Sequence, residues 1–171
     1  YRLLMDSGLY AALTKAGLLI PHTEVDVPPA EPDLAAVIIQ PEAVGFISYP
    51  YEWSFSQLQD AALVTLAIQR RALDRGLSLK DASAYNIQFQ RGRPRLIDTL
   101  SFERYTEGTP WTAYRQFCQH FLAPLALMAK RDIRLNQLLR IYIDGVPLDL
   151  ASELLPGATP LNLALPTPIP V

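Results

Sequence analysis

The chain has 171 residues, 50% of them hydrophobic and 19% charged, with a formal net charge of -2. That is enough apolar material for a core and too little polarity for a disordered chain. The charge balance offers nothing to a nucleic-acid backbone, and one cysteine with two distant histidines excludes a disulfide framework and a Cys-based or His-rich metal cluster.

Leu3, Leu4, Leu9, Ala12, Leu13 and Ala16 recur at helical spacing and predict a first helix that Gly17 stops. Residues 1–7 lack the basic start and long apolar run of a signal peptide, and no stretch approaches the roughly 20 apolar residues of a membrane span. A chain that opens on Tyr1 directly in a helical pattern reads as part of a longer cytoplasmic protein. Residues 21–32 carry four prolines among acids and read as an irregular connection. Two short apolar runs, 35–40 and 44–48, are expected to be strands joined by a turn at Pro41-Glu42-Ala43.

Tyr49-Pro50-Tyr51-Glu52-Trp53 breaks the pattern. Ser56 is expected to cap a long helix over 57–75 that ends at Gly76, with Leu58, Ala62, Leu66 and Leu73 on its apolar face. Beyond it, Asn86-Ile87-Gln88-Phe89 and Pro94-Arg95-Leu96-Ile97-Asp98 flank a glycine-containing turn at Gln90-Arg91-Gly92-Arg93, which predicts a hairpin. Thr109-Pro110 starts another helix lined by Trp111, Tyr114, Cys118, Phe121 and Leu125, with a bend expected at Pro124. Short helices are expected over 133–143 and 148–155. Residues 1–155 then form one domain, and 156–171, with five prolines, an extended tail.

The chemistry-bearing segment runs from Lys80 to Asp98. Asp81 precedes Asn86 by five residues, and the hairpin returns the chain to Asp98. A sharp loop followed by a hairpin can bring an acid, an amide and a second acid to one cleft. This resembles the catalytic loop of kinases, and most closely that of bacterial small-molecule kinases such as the aminoglycoside and choline phosphotransferases. The resemblance implies Asp81 as catalytic base, Asn86 and Asp98 as magnesium ligands, and ATP as the phosphate donor. Tyr49, Tyr51 and Trp53 would lie in the hinge that binds adenine. The acceptor would be a small molecule or a carbohydrate. The fold it implies is α+β and mostly helical, a kinase-like C-terminal lobe with hinge and a small antiparallel sheet, its N-terminal lobe incomplete.

The sequence also departs from that pattern. Leu79-Lys80 stands where the family has a histidine, Thr99-Leu100 follows Asp98, and there is no glycine-rich loop or strand lysine. The same residues have a plainer reading: Asp81 and Asn86 making local turn hydrogen bonds, and Asp98 capping a turn through residues 99–101. A second resemblance rests on residues 79–103 and 110–125, including Trp111-Thr112-Ala113-Tyr114-Arg115-Gln116-Phe117-Cys118. These are similar to the leading portion of bacterial proteins described as class I SAM-dependent methyltransferases, some related to host-specificity nodulation proteins. It implies a non-catalytic accessory domain that contacts other domains of its own chain, with SAM bound only downstream. Elsewhere, His120 reads as a packed helix histidine ahead of an acid or base, Cys118 as a buried thiol, and Arg91, Arg93 and Arg95 as an exposed strand face ahead of a phosphate contact.

Overall fold

The computed structural model describes residues 1–156. Of the expected tail, 157–171 lies outside the described residues. The fold is α+β: helices around three two-stranded antiparallel sheets.

The first helical pattern is split in two. Helix α1 (Arg2–Asp6) and helix α2 (Leu9–Lys15) meet at Gly8, whose φ of 69° no helix interior accepts. Leu4, Leu9 and Leu13 are buried. Strand β1 (His22–Glu24) lies inside the proline-rich stretch read as irregular, and it pairs with β2 (Ile39–Pro41). The expected pair of 35–40 with 44–48 is therefore corrected. Residues 22–27 are a proline-free run within that stretch, so their N–H groups can serve a ladder: Val25 N donates to Ile38 O. Residues 44–48 form no strand.

Helix α3 (Phe55–Leu73) is the centre of the molecule. Its cap is Ser54, not Ser56: Ser54 Oγ accepts from Gln57 N, and the Gln57 carboxamide accepts from Ser54 N. That reciprocal pair satisfies two donors at once. The buried face runs through Leu58, Ala61, Ala62, Thr65, Ile68, Gln69 and Ala72, while Leu66 and Leu73 face outward. Gln69 is buried because it has work for its amide: it donates to Ser78 Oγ and accepts from Leu79 N. This ties α3 to β3 (Leu77–Leu79), which pairs with β6 (Phe102–Arg104).

Between them stands the expected hairpin, β4 (Ile87–Gln90) and β5 (Arg93–Leu96), with Ile87 opposite Leu96. Arg91 (φ 53°) and Gly92 (φ 75°) both take the left-handed backbone that a tight two-residue turn requires. Leu96 also exchanges backbone bonds with Leu18 and Ile20, docking the α1–α2 unit on the hairpin.

The aromatic helix begins at Tyr114, later than expected at Thr109. Helix α4 (Tyr114–Phe117) passes through a π-helical stretch, Cys118–Leu122, into α5 (Ala123–Lys130). Pro124 accounts for the wide turn. It has no N–H to give and its ring crowds the preceding turn, so the helix widens there. The carbonyl of Gln119, five residues before Pro124, instead accepts from Val146 N at 3.0 Å. A 3-10 turn (Ile133–Gln137), α6 (Leu138–Ile141) and α7 (Leu148–Leu154) complete the described chain.

Candidate functional site

The strand pairs β3–β6 and β4–β5 flank the segments that carry the singled-out residues. Asp81 follows β3, and Asp98 precedes β6, which is paired with β3. Asn86 immediately precedes β4, and Ile97 N donates to Asn86 O just before Asp98. Lys80 N donates to Ser101 O, closing the loops on each other.

The side chains are occupied locally. Asp81 Oδ1 accepts from Ser83 N at 2.9 Å and from Gln116 Nε2 at 2.9 Å. Asp98 Oδ1 accepts from Leu100 N at 2.7 Å, and its Oδ2 from Ser101 Oγ at 2.5 Å. Each aspartate therefore closes the turn that follows it, the pattern by which such side chains mimic a backbone turn. Asn86 Nδ2 is buried and has no hydrogen-bond partner. Among the described residues, no three or more His, Cys, Asp or Glu gather in a group that could hold a metal ion.

The segment expected to be a hinge is a 3-10 turn over Pro50–Glu52. Tyr49 N donates to Glu52 Oε2, and Tyr49 O accepts from Glu52 N. Tyr51 O accepts from the amides of Asn136 and Gln137, and Trp53 O from Asn136. Trp53 is 2% exposed, with its indole N–H on Ser48 Oγ and its ring edge-on to Phe89. Its faces are part of the core. Tyr49 and Tyr51 stack on one another 5.5 Å apart, and Arg140 covers Tyr51. Tyr49 alone of the three is largely exposed.

Gln116 was not visible as a site residue in the sequence. Besides its bond to Asp81, its Oε1 accepts from Ala82 N at 2.6 Å, so one carboxamide grips both ends of the loop's first turn. A glutamine set among aromatic and apolar neighbours is the available signal for such a clamp. Tyr85 OH donates to Leu139 O at 2.8 Å, and burial raises its pKa. His120 lies edge-on to Tyr85, 1% exposed. Burial pushes its pKa down to about 4 against the opposing pull of Asp81 and of Asp144. It is a neutral packed histidine near pH 7. The Cys118 thiol is raised by burial, which leaves it unreactive.

The chain is 43% identical over 130 residues to Nodulation protein NoeA of Rhizobium meliloti (strain 1021), an alignment covering 72% of this chain and 27% of that protein. The two are related, and the chain spans little more than a quarter of its relative's length. No family model matches the chain. No solved structure matches it.

Proposed function

We propose that this chain is a non-catalytic accessory domain of a larger bacterial protein, a kinase-like arrangement whose Asp81 and Asp98 serve as loop formers. The observation that carries the reading is the local engagement of both aspartates: Asp81 on Ser83 and Gln116, Asp98 on Leu100 and Ser101. A magnesium site for ATP fits poorly. The ion wants hard oxygens turned toward phosphates, whereas both carboxylate oxygens of Asp98 close their own turn. The adenine edge fits no better, since the carbonyls of Tyr51 and Trp53 are held by Asn136 and Gln137.

What supports a kinase-like ancestry is the order of parts: strand, loop with Asp81 and Asn86, hairpin, Asp98, and a strand returning to pair with the first. What supports an accessory role is the match to 27% of a longer relative. In this reading the chain packs against other domains of its own protein in the cytoplasm, and any group transfer, to a carbohydrate-type acceptor or from SAM, belongs to those domains.

Thermal unfolding with and without Mg-ATP tests it. Asp98→Ala should lower stability by about 1–2 kcal/mol, because two turn bonds are lost. Mg-ATP should leave the wild-type midpoint unchanged. A wild-type midpoint raised by Mg-ATP, with the rise abolished in Asp98→Ala, would return the chain to the phosphotransferases.

A further inference from the structure

Helix α3 packs against α2, α5 and the strands β3 and β5. Its remaining face is open to solvent, yet it is not a polar face. Gln59, Leu63, Leu66, Arg70 and Leu73 recur at alternating intervals of four and three residues, and all of them are exposed. Leu63 is 58% exposed, Leu66 42% and Leu73 41%. Single exposed leucines are ordinary on a protein surface. Three of them on one seam are not, because a mean spacing of 3.5 residues is what one helix needs to lay a continuous stripe along another.

We propose that this face pairs with the same face of a second copy of the chain, the two α3 helices running antiparallel about a two-fold axis between Leu63 and Leu66. The pairing does not depend on the accessory reading. The charges of the face choose both the occupant and its direction. Asp60 stands three residues before Leu63, and Arg70 four after Leu66; both are exposed, and neither has an ion-pair partner among the described residues. When Leu63 of one copy lies beside the partner's Leu66, an antiparallel helix brings Arg70 beside the partner's Gln59 and the partner's Asp60. Symmetry repeats that contact, so opposite charges meet at both ends of the leucine seam. A parallel pair in register would set Arg70 on the partner's Arg70 and Asp60 beside the partner's Asp60. The face therefore complements itself in one direction, as an isologous two-fold interface requires. Flanking charges of this kind are what set orientation in paired helices. Helix α3 has 19 residues and is about 28 Å long. Two such helices bury on the order of 1,000 Å² in total, the lower edge of specific interfaces. The dimer is accordingly weak and reversible, with a Kd of about 10–100 μM.

The test is sedimentation equilibrium of the 171-residue chain over about 5–500 μM, with charge-swapped variants beside the wild type. Wild-type chain should fit a monomer–dimer equilibrium. Leu63→Lys should leave it monomeric throughout. Asp60→Arg and Arg70→Asp each place like charges at both ends of the seam, and each should weaken the dimer about tenfold. The double variant Asp60→Arg/Arg70→Asp restores opposite charges and should recover the wild-type Kd to within about threefold. That recovery cannot come from a damaged fold, so the test stays decisive if a single variant is unstable. A wild-type chain that is monomeric at every concentration overturns the proposal, the result expected if this face belongs to a different partner. A dimer that survives Leu63→Lys places the contact on another face and overturns it too. So does a double variant no tighter than the single ones, since Asp60 and Arg70 would then not meet.

Discussion

His120 is the residue whose environment makes the sharpest demand. It lies in the π-helical stretch, 1% exposed, and burial outweighs the favourable influence of Asp81 and Asp144 to bring its pKa from 6.5 to about 4. In the unfolded chain the same imidazole takes a proton near pH 6.5. Between these values the unfolded state binds one proton more than the folded state. Stability from this group is therefore complete above about pH 6.5 and falls as pH drops toward about 4, for a loss of about 3 kcal/mol. Urea unfolding from pH 4.5 to 7.5 should show this slope in the wild type, and His120→Phe should remove most of it. A slope unchanged in the variant would place the acid sensitivity elsewhere. Trp53 makes a related point about legibility. The kinase resemblance set it in an adenine-binding hinge, and the sequence carried no sign that Ser48 Oγ would take the indole N–H and let the ring go inside.

At the scale of elements, the hairpin turn holds a correctable strain. Both central residues of the turn have positive φ, and one of them is Arg91, whose Cβ crowds its own carbonyl in that region. Arg91→Asn should stabilise the fold by about 0.5–1 kcal/mol, read as a higher urea midpoint, because asparagine enters this conformation more readily. A lowered midpoint would mean that the arginine stem packs usefully on the hairpin. The hairpin was legible because its turn chemistry and strand alternation agree within a dozen residues. The helix α3 was legible from its length, though its cap was misplaced. Ser54 has Gln57 three positions on, the reciprocal pattern that distinguishes it from Ser56, and Ser54→Ala should cost about 1 kcal/mol in thermal unfolding. The strands β1, β3 and β6 are three residues each, too short for any periodicity to register. Their partners lie far along the chain, so pairing is decided by the assembled fold. The order of loop, hairpin and return that carries Asp81, Asn86 and Asp98 was legible in the spacing. The bonds that hold them were not, since Gln116 arrives from another helix.

Across the whole molecule, the loop of Asp81 and Asn86 is held from the C-terminal helices. Gln116 clamps Asp81 and Ala82, Tyr85 OH reaches Leu139 O, and the Tyr85 ring meets His120. Those helices also meet where Gly145 lies on the π-helical stretch and Val146 N bonds the carbonyl of Gln119. A Cβ at Gly145 would sit 2.6 Å from Gln119 Cβ, 3.0 Å from His120 Cδ2 and 3.2 Å from the Gln119 carbonyl carbon. Two of those atoms are fixed by helix backbone, and the glycine has a φ of 101°, so relief must come from the 142–147 loop lifting away. Gly145→Ala should therefore cost roughly 3 kcal/mol. Gly108→Ala, also at positive φ but in open space, should cost nearer 1 kcal/mol. Hydrogen exchange should place the damage: amides of α6, α7 and residues 81–86 lose protection together in Gly145→Ala, while the β4–β5 ladder, held by Leu18 and Ile20, keeps its own. Equal loss across the hairpin would mean that the molecule unfolds as one unit, and that the loop carrying Asp81 is no more dependent on the C-terminal helices than the rest.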